Sequence, residues 1–177
     1  LAFHKLLDET RINAPLTRSV VDREYKRIDW NDPEISGDPE FLQKFVRNLG
    51  KTVRAENAGK STAAGQVKLR SFVNTVVEGF ATSPEGIDQL RKRSVMVQAA
   101  ILSVEVPHDV AEAVRGAYRD ICRENEDDMT PVAVRSSAAG EDSRKKAFAG
   151  LQDTYLNMRG PEKVVQAYHW DCASAYN

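Results

Sequence analysis

Arg135 stands at the end of a short β-branched run, Val132-Ala133-Val134, and is followed by Ser136-Ser137-Ala138-Ala139-Gly140-Glu141-Asp142. A second small-residue stretch, Phe148-Ala149-Gly150-Leu151, leads into Gln152-Asp153-Thr154-Tyr155-Leu156-Asn157. A guanidinium is a planar, permanently charged fork of donors, hydroxyls add neutral hydrogen bonds, and glycines let backbone N–H groups approach a ligand closely. Together these groups suit the oxygens of a polyphosphate. A second cation in a comparable setting is Lys60, within Asn57-Ala58-Gly59-Lys60-Ser61-Thr62-Ala63-Ala64-Gly65-Gln66-Val67. The Gly-Lys-Ser string invites a P-loop reading, but the slot of the first Walker A glycine holds Arg54, which rejects it.

The elements that must position these groups follow from the pattern of apolar residues. Val132 to Val134, bounded by Pro131 and a Ser/Ala/Gly cluster, reads as a buried strand ending in Arg135. Gln152 to Met158 reads as its neighbour, with Thr154, Leu156 and Met158 on one face. In the loop between them Gly140, Ser143 and the cations Arg144, Lys145 and Lys146 offer no core contact, so residues 140–149 are expected to move when no nucleotide is bound. Upstream, Phe41, Phe45, Val46 and Leu49 mark a helix from Pro39 with Gly50 as its stop, and a small-residue helix is expected to start after Lys60. Ser83 and Pro84 open a helix to about Leu102. A further helix carries Val110, Ala113, Val114, Ala117, Tyr118 and Ile121 on one stripe, and the last begins at Pro161. The helices from Pro84 and Pro107 are expected to pack on the two strands. The fold class is α/β (α+β), with helices on a small mixed sheet.

The chain has 177 residues, with 25 basic and 26 acidic side chains, for a net charge of −1. That length buries a real core, and that balance gives no general attraction to nucleic acid or to an anionic membrane. No apolar run approaches the roughly 20 residues a membrane span needs, and no signal-peptide core is present, so the cytoplasm is the expected compartment. Cys122 and Cys172 show no ligand spacing with His4, His108 or His169, so no metal site is expected, and both cysteines read as reduced helix-face residues. Residues 1–38 are mixed and polar and read as an N-terminal extension of unknown role, with turns around Trp30. The chain lacks an initial methionine and ends inside a helical pattern, which suggests a fragment or a subunit.

The segment Pro131 to Asn157 resembles the N-terminal nucleotide-binding region of the phosphoenolpyruvate synthase and pyruvate, phosphate dikinase family, in its Val-Arg-Ser-Ser-Ala, Glu-Asp and Phe-Ala-Gly-x-x-x-Thr-Tyr-Leu-Asn pattern. Gly59, Lys60, Ala63 (displaced by one) and Gly65 partly match that family's Gly-Gly-Lys-x-Ala-x-Leu-Gly element, with Ala58 in place of the first glycine and Ala64 in place of leucine. Gly79-Phe80-Ala81-Thr82 resembles its Pro-Pro-Gly-Phe-Ala-x-Thr turn, with Val77 and Glu78 replacing the prolines. The likeness implies that residues 39–177 are the first part of an ATP-grasp-like domain, in which Lys60, Arg135, Gly150 and Thr154 contact ATP. It further implies transfer of the β-phosphoryl group to a histidine on a separate domain and then to an acceptor such as pyruvate. Relatives phosphorylate glucans, rifamycins or phenol, and a nucleotide-sensing module without catalysis is the competing class. No histidine here has the carrier context, and the family's Mg²⁺ ligands, the second half of its ATP cleft and its acceptor domain would lie outside this stretch.

Overall fold

The computed structural model describes residues 2–60, 64–78, 86–135 and 153–177. The chain divides into two compact units, Leu1–Glu105 with Tyr176, and Val106–Ala175 with Asn177.

In the first unit the elements run α1 (Ala2–Glu9), β1 (Arg11–Asn13), α2 (Ala14–Tyr25), α3 (Pro33–Ser36), α4 (Pro39–Asn57), β2 (Gln66–Lys68), α5 (Leu69–Glu78) and α6 (Ile87–Ser103). Every residue of α6 from Val95 to Ile101 is buried, which makes it the central helix, with α2, α4 and α5 packed around it. Aspartates start two of the helices. Asp32 and Asp38 each accept the N–H two residues on, from Glu34 and Glu40 at 2.9 Å, and each precedes a proline at the first helical position. Trp30 stacks on Tyr25, with ring centroids 4.6 Å apart, and meets Phe45 edge-on, which ties the α2–α4 connection to the helix it precedes.

Two expectations change in this unit. Gly50 does not stop α4, which continues to Asn57. A Cβ there would lie 2.6 Å from Leu102 Cβ, so the glycine lets α4 approach α6 closely. The helix expected to start after Lys60 does not appear in the described residues 64–68: Gln66–Lys68 forms a strand antiparallel to β1, pairing Arg11 with Lys68, Ile12 with Val67 and Asn13 with Gln66. Helix α6 is described from Ile87 with Gly86 as its N-cap and no side-chain cap bond, and Ser83 and Pro84 lie outside the described residues.

The second unit contains α7 (His108–Glu124), β3 (Val132–Val134), β4 (Tyr155–Met158) and α8 (Pro161–Ser174). The strands are neighbours, but they are half-buried rather than buried: Val132 and Val134 pack against Tyr118, Cys122 and Val164, while Ala133 is exposed. Helices α7 and α8 supply that core. Helix α6, expected to cover the strands, belongs to the first unit. The buried stripe of α7 is Val110, Ala111, Tyr118 and Cys122, whereas Ile121 is 39% exposed, so the stripe turns toward the i+4 series and away from the i+3 positions. Among the described residues the strands form two two-stranded antiparallel sheets, in place of one small mixed sheet, and with the helices they make the expected α/β class. The fold is therefore mostly helical with two small ribbons. Among the described residues no helix is long and apolar enough to cross a membrane.

Candidate functional site

Arg135 emerges from β3 exposed, and its guanidinium makes no hydrogen bond or ion pair to a described residue. A cation at a strand end with no partner among the described residues is available to an anionic ligand. Thr154 is also exposed, but its neighbours are anchored. Asp153 N–H donates to Ser174 Oγ at 3.2 Å, Asn177 Nδ2 donates to Asp153 Oδ1 at 3.3 Å, and the Tyr155 hydroxyl donates to Asp153 Oδ2 at 3.1 Å. The Thr154 hydroxyl thus sits on backbone tied to α8.

The strand pairing departs from simple alternation. Val134 pairs with Tyr155 and Val132 with Met158, so β4 spends one more residue than β3 between these pairs, and Asn157 takes φ 56°. This bulge, with an asparagine in the left-handed region that it tolerates better than most residues, rotates the strand between Leu156 and Met158. Leu156 is accordingly 70% exposed while Met158 packs against the core, so Leu156 and Met158 do not share one face as alternation predicted.

The other end of the ribbon is fastened by residues that sequence reasoning did not single out for chemistry. Tyr118 is 3% exposed. Its hydroxyl accepts the Gly160 N–H at 2.8 Å and donates to the Thr130 carbonyl at 3.0 Å. Arg159 Nη1 donates to the Met129 carbonyl at 3.0 Å. Gly160 has φ 89°, a conformation that an L side chain rarely takes, and starts α8 directly before Pro161. Tyr118 was legible only as an apolar stripe residue; a hydroxyl bonded to backbone leaves no sequence signature.

Lys60 lies in the first unit, in the connection from α4 to β2. Gly59 at φ 77° and Gly65 at φ 86° turn the backbone, Lys60 N–H donates to the Asn57 carbonyl at 3.1 Å, and Ala14 N–H donates to the Gly65 carbonyl at 3.0 Å. The Lys60 side chain is exposed and has no hydrogen bond or ion pair among the described residues. One turn earlier, Glu56 is held by Arg23, whose Nη2 lies 2.5 Å from Glu56 Oε1. This hydrogen bond lowers the Glu56 carboxyl below its usual range, burial opposes it, and the charge of Lys60 adds a smaller pull. Beside this connection a cleft of about 320 Å³ is lined by Arg11, Asn13, Arg54, Asn57 and Gln66, among others. Arg54 crosses its wall to donate to the carbonyls of Ser103 at 2.9 Å and Val104 at 2.6 Å, capping the end of α6.

Lys60 and Arg135 fall in different units, and Gly150 and residues 140–149 lie outside the described residues. Among the described residues no three His, Cys, Asp or Glu side chains gather as metal ligands.

The family model described as pyruvate phosphate dikinase, AMP/ATP-binding domain, matches residues 1–177. The chain belongs to that family. It is similar to the phosphoenolpyruvate synthase of Escherichia coli K12, with 30% identity over 159 residues, 86% of this chain and 20% of the relative. A probable phosphoenolpyruvate synthase of Methanothermobacter thermautotrophicus is 40% identical over 144 residues, covering 68% of this chain and 21% of the relative. One from Methanocaldococcus jannaschii is 42% identical over 88 residues, 50% of this chain and 7% of the relative. The chain thus spans about a fifth or less of the length of these relatives. No solved structure matches it.

Proposed function

We propose that this chain is the first part of an ATP-grasp-like nucleotide-binding domain in a cytoplasmic dikinase-like phosphotransferase. Arg135 binds ATP phosphate oxygens with its planar fork, Lys60 contributes a point charge, the Thr154 hydroxyl adds a neutral hydrogen bond, and Gly150 lets its loop backbone approach. The γ-phosphoryl group goes to water or inorganic phosphate, and cleavage of the α–β bond passes the β-phosphoryl group to a histidine on another domain or subunit, with AMP as the leaving group, and on to an acceptor such as pyruvate. Mg²⁺, bound through residues elsewhere, supplies the charge neutralisation that phosphoryl transfer needs.

The observation that carries this reading is the family match along the whole chain, joined to an Arg135 that is exposed and unpaired among the described residues at the strand end. Incubation of the complete protein with ATP labelled at the β-phosphate tests it. The expected result is protein-bound label that is acid-labile and base-stable, as phosphohistidine is. Hydrolysis of ATP with no labelled protein would refute the transfer.

A further inference from the structure

Strands of three and four residues form too short a ladder to hold their own register, and β4 already carries a bulge. A slip by one residue would turn every side chain to the opposite face, Arg135 included. Something outside the ladder must therefore fix the pairing. Thr130 lies just before β3 and Gly160 just after β4, at the end of the ribbon away from Arg135, where Val132 pairs with Met158. The Tyr118 hydroxyl bonds both: it accepts from Gly160 N–H at 2.8 Å and donates to the Thr130 carbonyl at 3.0 Å. These roles are forced, because an amide N–H only donates and a carbonyl only accepts. The ring is held in the core against Val164 and Cys122, so the hydroxyl is a fixed point to which both feet of the ribbon are tied. Arg159 makes a second, exposed tie from the β4 side to the Met129 carbonyl.

We propose that Tyr118 is a positioning residue for phosphate recognition: its hydroxyl locks the register of β3 and β4 and so aims Arg135 and Thr154. The proposal rests on the ATP-binding role assigned above to Arg135. Tyr118→Phe keeps the ring and removes both bonds. Val164→Ala opens the same core without touching the hydroxyl or its partners, and serves as the control for stability alone.

The test compares Y118F, V164A, R159A and R135A in the complete protein, measuring thermal unfolding, kcat and KM for ATP, and the exchange rate of the Gly160 amide. Y118F should raise KM for ATP about threefold to tenfold, the loss of one to two modest hydrogen bonds of aim, and speed Gly160 exchange. V164A should lower the melting temperature and leave KM unchanged. Equal KM effects of Y118F and V164A, or none in Y118F, would overturn the proposal. Should Y118F fail to fold, R159A still reads it: a smaller rise in KM supports the register lock and an unchanged KM refutes it. R135A separates the two levels. If R135A binds ATP normally, the phosphate role of Arg135 falls and the proposal with it; if R135A is impaired while Y118F is not, the Tyr118 proposal alone is wrong.

Discussion

Replacing Gly50 and Gly116 by alanine should move stability in opposite directions, although both glycines lie inside helices. A Cβ on Gly50 would sit 2.6 Å from Leu102 Cβ, 3.1 Å from its carbonyl carbon and 3.3 Å from its carbonyl oxygen. Carbon pairs prefer about 3.5–4.0 Å, so α4 and α6 would have to separate by roughly 1 Å at their contact. Two of the three atoms belong to the backbone of the central helix and cannot move aside as a side-chain end can. Overpacking of this kind costs about 1–3 kcal/mol, here toward the upper end, and the better helix propensity of alanine returns about 1 kcal/mol. The net expectation for Gly50→Ala is a loss of about 1–2 kcal/mol. At Gly116 in α7 a Cβ would meet nothing within 4 Å, so only the propensity gain remains, about 0.5–1 kcal/mol of stabilisation. Urea unfolding followed by far-UV circular dichroism and by fluorescence is the assay, because Trp30 reports on the first unit and Trp170 on the second. A neutral or stabilising Gly50→Ala, or a destabilising Gly116→Ala, would refute the close-approach argument.

Two further outcomes follow from single groups. Asp38→Ala removes the side-chain acceptor for Glu40 N–H at the start of α4 and should cost about 1 kcal/mol in the same urea titration, whereas Asp38→Ser should cost only a fraction of that. Cys122 and Cys172 are each 6% exposed, and burial pushes the Cys172 thiol up to about 12. The folded value lies above the unfolded one, so this thiol's contribution to stability is full below the ordinary pKa of about 8.5 and is lost as pH rises toward 12. Native protein at pH 8 should react slowly with an aromatic disulfide reagent, and unfolded protein should titrate two thiols at once; rapid reaction of the native protein would contradict the burial.

The sequence announced the elements whose signals are local. Asp38-Pro39 and Gly160-Pro161 mark the starts of α4 and α8, and the Val132–Val134 run ending in Arg135 is a strand because three β-branched or small apolar residues sit between a proline and a small-residue cluster. Signals with two physical meanings misled. Gly50 carries the composition of a helix stop but serves close helix contact, and Gly65, read as part of a helix start, takes φ 86° directly before the strand Gln66–Lys68. The pairing of Arg11–Asn13 with Gln66–Lys68 was not legible at all, since three-residue strands have no period to detect and their partner is far along the chain. The bulge at Asn157 was hidden for a related reason: asparagine does not announce a positive φ as glycine does. For the candidate site, the choice of Lys60, Arg135, Gly150 and Thr154 rests on the resemblance to the dikinase family, and their contact with ATP is the proposal made above. The hydroxyl of Tyr118 and the guanidinium of Arg54 act on backbone atoms, and partners of that kind are visible only once the chain is folded.

The central proposal is that Arg135 and Lys60 each bind ATP phosphate, and the most direct test is ATP affinity measured calorimetrically on the complete protein and on its Arg135→Ala, Arg135→Lys, Lys60→Ala and Thr154→Val variants, with melting temperatures recorded on the same samples. A charge-assisted contact is worth roughly 1.5–3 kcal/mol, so Arg135→Ala and Lys60→Ala should each weaken binding about tenfold to a hundredfold with little change in melting temperature. Arg135→Lys should restore little, because an ammonium cannot reproduce the planar fork, and Thr154→Val should cost less than either charge. Unchanged ATP affinity in Arg135→Ala together with a lowered melting temperature would place Arg135 in a structural role and contradict the account.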